Sequence, residues 1–129
     1  MEVIAGGCLL EVGKMNPQKK TFEKPDDVKK TPSQKTEFLD FGGRKIARAT
    51  YEPGWQWSKN MKPLVGTKSC QMHHLAYAIK GKLRVRMDDG TEMEFGPGDL
   101  VDIPPGHDGW VVGSEPVLWL DLSEPPKSK

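Results

Sequence analysis

The feature that most constrains the fold is the segment KLRVRMDDGTEMEF at residues 82–95. Apolar side chains occupy every second position of 83–87 and alternate with charged ones. This period of two is typical of a strand with one buried and one solvated face. Asp89-Gly90 follows, and glycine accepts the positive φ that a tight turn requires, before Thr91–Phe95 returns with the same alternation. The segment therefore predicts an antiparallel β-hairpin.

Further short strands are predicted on both sides of this hairpin. They cover Lys45–Tyr51, Leu100–Ile103, Trp110–Val112 and Val117–Leu122. Tight turns punctuate them, as at Gly96-Pro97-Gly98-Asp99, and no helical stripe of apolar residues exceeds a turn or two. About seven or eight short strands of this kind predict an all-β fold, a sandwich or barrel of the jelly-roll type.

Length and charge limit the other classes of protein. A chain of 129 residues has room for one domain with one core. Its 19 basic and 18 acidic residues nearly cancel, which argues against a nucleic-acid partner. The apolar runs are far shorter than the roughly 20 residues of a membrane helix, and the apolar start lacks a basic leader. We therefore expect a cytoplasmic protein with no membrane partner.

The domain is expected to span residues 37–123, preceded by an arm over 1–36 and followed by a tail over 124–129. Between Lys14 and Lys35 the sequence is rich in Lys, Pro, Asp and Thr, and it has few apolar residues to offset the cost of ordering. It is predicted to be a polar, irregular, solvated segment with one helical turn at 25–30, where Asp residues lie near the start.

The stretch SCQMHHLAYAIKG at 69–81 concentrates groups that can bind metals. It contains two of the three histidines, His73 and His74, together with Cys70. The other cysteine, Cys8, lies 62 positions away, which fits neither a disulfide scaffold nor a paired-cysteine zinc motif. Cys8 is interpreted as a reduced thiol in a small apolar niche.

Two segments resemble the motifs of the cupin superfamily. GDLVDIPPG at 98–106 is similar to the second cupin motif, and the block that ends in Ile79-Lys80-Gly81 resembles the first. The resemblance extends from Lys68 to Trp119. It implies a compact single-domain cupin, a jelly-roll β-barrel that is often dimeric and whose open end holds a ligand or a metal.

All four metal-ligand positions of the cupin motifs are altered here. Counted back from Gly81, the glutamate position falls on His74, and the two histidine positions fall on Cys70 and Lys68. The last histidine position falls on Gly109, with His107 two places earlier. Cys70, His74 and His107 could still form a soft three-ligand set for zinc, iron, copper or nickel, with a fourth position open. The alternative is that the protein holds no metal.

Only one of the two adjacent histidines can enter the barrel, because side chains alternate along a strand. The motif register selects His74. Periodicity favours His73, which is in phase with the more apolar set at 75, 77 and 79. A bulge in the strand would reconcile the two, and so would a pocket in which Ala76 and Ala78 face inward. Cys70, Met72 and His74 then share the inner face.

The four tryptophans suggest an aromatic wall. Trp55 and Trp57 alternate in phase and can point to one side, while Trp110 and Trp119 lie on closing strands. Trp119 has an equally good interpretation as a residue that fills the barrel. The predicted ligand-pocket residues are Trp55, Trp57, Gln71, Tyr77, Asp108 and Trp110.

Three functions remain open at this point. The first is a metal-dependent enzyme for a small organic molecule, with Asp108 or Tyr77 handling protons, by oxygen activation, isomerisation or hydrolysis. The second is a metal-free sensor or carrier that contacts its ligand through His74 and Gln71. The third is a structural homodimer in which the arm pairs with the edge of a neighbouring barrel. The sequence identifies no catalytic residue.

Overall fold

The computed structural model describes residues 16–123, and Cys8, the first part of the predicted arm and the predicted tail lie outside them. Strands β1 to β9 span Asp27–Thr31, Gln34–Phe41, Arg44–Tyr51, His74–Lys80, Lys82–Met87, Glu92–Phe95, Leu100–Ile103, His107–Val112 and Val117–Asp121. Two single helical turns, α1 (Trp57–Asn60) and α2 (Lys62–Val65), lie between β3 and β4. Neither turn has the length and apolarity to cross a membrane.

The strands form two antiparallel sheets. The larger sheet has the order β1-β2-β3-β9-β4-β7 and the smaller one β6-β5-β8. Neighbours such as β3 and β9 are far apart in sequence, so the chain crosses between distant strands as a jelly roll does. The predicted all-β fold is confirmed, with nine strands in the described part of the chain.

The β5–β6 hairpin forms as the alternation predicted. Leu83 pairs with Phe95 and Arg86 with Glu92. Leu83 and Val85 are buried, whereas Arg84 on the outer face donates to Glu92 at 2.7 Å. Burial of one face against solvation of the other fixes this register, because a slip of one residue would exchange the faces.

Large aromatic rings fill the space between the two sheets. Trp119 of β9 stacks on Phe95 of β6 at 5.8 Å between ring centroids, and it meets Tyr51 of β3 edge-on at 5.4 Å. Trp119 is therefore held from both sheets at once. Trp119 therefore both fills the barrel and lines a pocket, as the two interpretations of the sequence proposed.

The prediction for the N-terminal segment is wrong in two respects. Residues 25–30 do not form a helical turn, because Asp27–Thr31 is β1 and pairs along its length with β2. The predicted arm boundary at residue 36 also falls inside β2. Four of the five β1 residues are exposed, so this charged edge strand has no buried face that alternation could reveal.

The segment after β3 carries two tryptophans to the barrel interior. Val111 of β8 donates its backbone N–H to the Trp55 carbonyl at 3.0 Å. Asp108 fixes the same segment, accepting from the Ser58 backbone N–H at 3.0 Å and from Gln56 Nε2 at 2.9 Å. These contacts hold the segment against β8, with Trp55 and Trp57 both buried.

Candidate functional site

Cys70, His74 and His107 come together inside the barrel. One ligand atom from each lies within 4.8 Å of the others. His74 is the first residue of β4, and His107 is the first residue of β8. The Cys70 backbone N–H donates to the His107 carbonyl at 2.7 Å. Three separate chain segments therefore supply the cluster, and main-chain hydrogen bonds fix two of them to each other.

His74 faces the interior and His73 faces solvent. The His74 side chain is 12% exposed and that of His73 61%. Ala76 and Ala78 are fully covered, whereas the apolar set at 75, 77 and 79 is exposed. The register taken from the motif is confirmed, and the periodicity argument for His73 is wrong because apolar residues cover the outer face of β4.

Asp121 orients the His74 ring. The Nδ1 atom of His74 lies 2.8 Å from Asp121 Oδ2 and donates its proton to that carboxylate. The opposite ring nitrogen, Nε2, lies 3.8 Å from Cys70 Sγ. Asp121 is itself held by the Ser123 backbone N–H at 3.0 Å. This arrangement matches the carboxylate–histidine pairs that support metal ligands in proteins.

His107 is oriented in the same way by a different acceptor. Its Nδ1 lies 2.9 Å from the Pro104 carbonyl oxygen, which can only accept, so Nδ1 carries the proton. The remaining ring nitrogen, Nε2, is then the atom free to bind. Both imidazoles thus have Nδ1 committed to an oxygen and Nε2 available as a ligand atom.

The cluster perturbs the pKa values of its members in opposite directions. Burial raises the pKa of the Cys70 thiol, but hydrogen bonds from His107 and His74 outweigh this and lower it to about 6. Burial lowers the pKa of His74, but Asp121 and Cys70 outweigh that and raise it to about 9. Burial also opposes ionisation of Asp121, while the His74 contact lowers its pKa overall. Between these values Cys70 and His74 form a thiolate–imidazolium pair.

The donor set fits a soft transition-metal ion. A thiolate and two imidazoles are ligands that zinc, iron and copper accept. A tetrahedral ion bound to sulfur at about 2.3 Å and to nitrogen at about 2.0 Å holds the two ligand atoms about 3.5 Å apart. The 3.8 Å between Cys70 Sγ and His74 Nε2 is close to that separation. Three protein ligands leave further positions for water or a substrate.

A cavity of about 100 Å³ adjoins the cluster. Its wall consists of the three ligand residues together with Gln34, Tyr51, Trp55, Trp57, Met61, Met72, Leu83, Val85, Ile103, Gly109 and Trp119. Burial raises the pKa of Tyr51 far above its ordinary value, so its hydroxyl stays protonated. The cavity is thus largely apolar, with its strongly polar groups gathered at one place.

The structure brings two of the six predicted pocket residues to this cavity. Trp55 and Trp57 line it. Tyr77 lies on the outer face of β4 and is 43% exposed. The other three are held elsewhere: Gln71 donates to the Ser69 carbonyl at 3.2 Å, Asp108 fixes the segment before α1, and Trp110 lies under Arg86 at 6.0 Å. Alternation along β4 puts Tyr77 on the outer face, and local hydrogen bonds hold Gln71 and Asp108 away from the cavity.

Sequence reasoning missed Asp121, Tyr51 and Gln34. A signal existed for Asp121, because it follows Val117 and Trp119 at every second position of an apolar strand, where a carboxylate needs a partner. Tyr51 ends β3 in phase with Ala49, so the alternation of this strand gave a signal that Tyr51 is buried. Gln34 was assigned to the arm, so it carried no signal for the site.

The Asp121→Asn substitution is expected to weaken zinc binding about 10- to 100-fold, since outer partners of ligating histidines contribute effects of that size. The amide can present its N–H₂ to His74 Nδ1 and favour the tautomer with Nδ1 unprotonated. Competition with a chromophoric chelator measures the affinity. Asp108→Asn, which lies outside the cavity, is the matched control and should leave affinity within a few fold. Equal affinity in the Asp121 variant and the wild type would contradict the orienting role.

Structural comparison places the fold among proteins of several kinds. A protein of unknown function from Rhizobium leguminosarum bv. viciae shares 20% identity, with 87% of this chain and all of that chain covered, at a TM-score of 0.59. A polyketide cyclase from Streptomyces resistomycificus shares 20% sequence identity, with 85% of this chain and 83% of that chain covered, at a TM-score of 0.55. A cupin-like protein from Thermotoga maritima shares 17% sequence identity, with 70% of this chain and 68% of that chain covered, at a TM-score of 0.50.

These similarities define the class of fold. The protein has the cupin fold, as the resemblance of its two motifs implied. No protein-family model and no curated protein matches the sequence. At such identities the comparisons establish the architecture alone, whereas function depends on the cluster and its cavity.

Proposed function

We propose that this protein is a metal-dependent cupin that binds a small molecule in the cavity beside Cys70, His74 and His107. The observation that carries the proposal is the orientation of the two imidazoles. Each has Nδ1 committed to an oxygen acceptor, which leaves Nε2 to face the Cys70 sulfur. A protein that needed only filled space would not require two oriented imidazoles around one thiolate.

Some residues of the chain would bind the metal ion, and others would exclude water from the site. Cys70, His74 and His107 would hold the ion, with Asp121 and the Pro104 carbonyl fixing the two rings. When bound, such an ion acts as a Lewis acid on an oxygen atom of the substrate or of water. The aromatic wall of Tyr51, Trp55 and Trp119 would exclude bulk water and so strengthen the electrostatic interactions at the site.

Metal content of tag-free protein tests the proposal directly. We expect close to one equivalent of zinc, iron, copper or nickel per chain, lost in Cys70→Ala and retained in Ser69→Ala. Ser69 is the neighbouring buried side chain, and it bonds Asp88 at 3.0 Å, away from the cavity. Protein that holds no metal, even after reconstitution with each of these ions, would refute the proposal.

The affinity for zinc should rise with pH. His74 has a pKa of about 9, so at neutral pH zinc must displace a proton from it, whereas Cys70, at about 6, is already a thiolate. One displaced proton makes the affinity rise about tenfold per pH unit between these two values, and the rise should end near pH 9. Competition titrations at several pH values measure the slope. A flat profile between pH 7 and 8.5 would contradict a protonated His74.

A second candidate function uses the same residues without metal. Cys70, His74 and Asp121 form a chain of nucleophile, base and orienting carboxylate, which is the arrangement of enzymes that attack with a thiolate. The lowered pKa of Cys70 favours it. Alkylation of Cys70 in metal-free protein, with a midpoint near pH 6 and no protection by added zinc, would favour this function over the first.

A further inference from the structure

The cavity wall contains polar atoms that lack partners. Among the described residues, Trp55 Nε1, Trp119 Nε1 and Gln34 Oε1 are buried without a hydrogen bond, and all three residues line the same cavity. Trp55 is 5% exposed and Trp119 3%. Leaving a buried polar group unpaired costs about 1–3 kcal/mol. The two indole donors among them call for an occupant that can accept hydrogen bonds, whereas Gln34 Oε1 is itself an acceptor.

Both indole rings pack against Tyr51, and the Trp119 indole also approaches the Tyr51 hydroxyl as a donor. The Trp55 ring is 4.4 Å from Tyr51 and the Trp119 ring 5.4 Å, measured between centroids. Trp119 is also 5.5 Å from the His74 ring. The two indole rings and Tyr51 therefore form one continuous part of the cavity wall, and Trp119 extends it to the His74 ring. Both indole N–H groups are donors, so their partner must present acceptor atoms.

The volume restricts the size of that partner. An apolar cavity of about 150 Å³ holds benzene, with its six carbon atoms, so a cavity of about 100 Å³ holds roughly four non-hydrogen atoms. Two acceptors within four non-hydrogen atoms describe a short carboxylate.

We infer that the cavity takes a short-chain carboxylate of about acetate size, with its oxygens accepting from the indole N–H groups of Trp55 and Trp119. The inference rests on the proposed function, because it specifies the ligand of that same site. It names a class of ligand and leaves the reaction open. Larger acids such as benzoate exceed the space.

Indole N–H resonances provide the test. In ¹H–¹⁵N spectra of the full chain, each of the four tryptophans gives one indole signal, which Trp→Phe variants assign. Acetate should shift the Trp55 and Trp119 signals downfield and saturably, in zinc-loaded protein and, more weakly, in metal-free protein. The Trp110 signal should stay in place, since Trp110 lies outside the cavity. Sodium chloride at matched ionic strength is the blank.

Two variants separate hydrogen bonding from volume. Trp119→Phe and Trp55→Phe remove one N–H each and enlarge the cavity, so acetate should bind about tenfold more weakly while benzoate gains access. Trp110→Phe is the matched control and should bind acetate as the wild type does. A folded Trp119→Phe protein with unchanged acetate affinity would overturn the inference.

The remaining outcomes are equally decisive. Absence of a saturable shift in well-folded protein, with or without zinc, would mean that water alone fills the cavity and would overturn the inference. Acetone binding as tightly as acetate would overturn the carboxylate class. Zinc bound without acetate binding would refute this inference alone. Acetate bound to protein that takes up no metal would refute the metal proposal and leave the carboxylate site standing.

Discussion

His74→Ala should abolish tight zinc binding, whereas His73→Ala should leave it unchanged. The two histidines are adjacent, but His74 lies in the cluster and His73 bonds Asp102 on the outer face. Four-ligand zinc sites contribute about 10–16 kcal/mol, or roughly 3 kcal/mol per ligand, so the loss of one should lower affinity at least about 100-fold.

Competition with a chelator of known zinc affinity measures this difference, and circular dichroism checks that both variants remain folded. His73→Ala is the matched control because it removes the same side chain one residue away. Equal losses in the two variants would mean that zinc binds through exposed imidazoles. Retention of tight binding in His74→Ala would exclude His74 as a ligand.

Gly81→Ala should be among the most damaging single substitutions in the barrel. Gly81 joins β4 to β5 with φ at +78°, and an added Cβ would lie 2.3 Å from the Pro116 carbonyl oxygen and 2.8 Å from Val117 Cα. Both neighbours are backbone, so β9 would have to move. Backbone strain of about 1–2 kcal/mol and overpacking of about 1–3 kcal/mol add up to a loss of about 2–5 kcal/mol.

Gly90→Ala provides the control for backbone conformation. Gly90 has φ at +94°, but an added Cβ there meets nothing within 4 Å. Its cost should therefore be only the strain, about 1–2 kcal/mol. Urea unfolding of the three proteins measures both values. Equal losses would show that the start of β9 yields to the Cβ without cost and that Gly81 is needed only for its φ.

The sequence predicted those parts of the fold whose burial alternates along the chain. β5 was found within a residue because the buried Leu83 and Val85 alternate with charged residues, and β6 and β7 were found because the turns at 89–90 and 96–99 bound them. β1 was missed because nearly all of its side chains are exposed. Alternation detects a buried face, and it cannot detect an edge strand that has none.

The site was predictable only where a motif fixed the register. His74 and Cys70 were assigned correctly to the interior because the cupin spacing overrode the apolar phase of β4. Asp121 was missed because the apolar phase of β9 marks it as a buried carboxylate but does not identify its partner, His74, which lies 47 residues away in the sequence. Tyr77 was assigned to the pocket in place of Tyr51, although alternation from His74 puts Tyr77 on the outer face.

X-ray absorption at the zinc edge tests the central claim most directly. Zinc-loaded protein should show one sulfur at about 2.3 Å and two imidazole nitrogens among the lighter ligands at about 2.0–2.1 Å. Cys70→Ala should lose the sulfur shell. A spectrum with no sulfur, or with more than one, would contradict a site built from Cys70, His74 and His107.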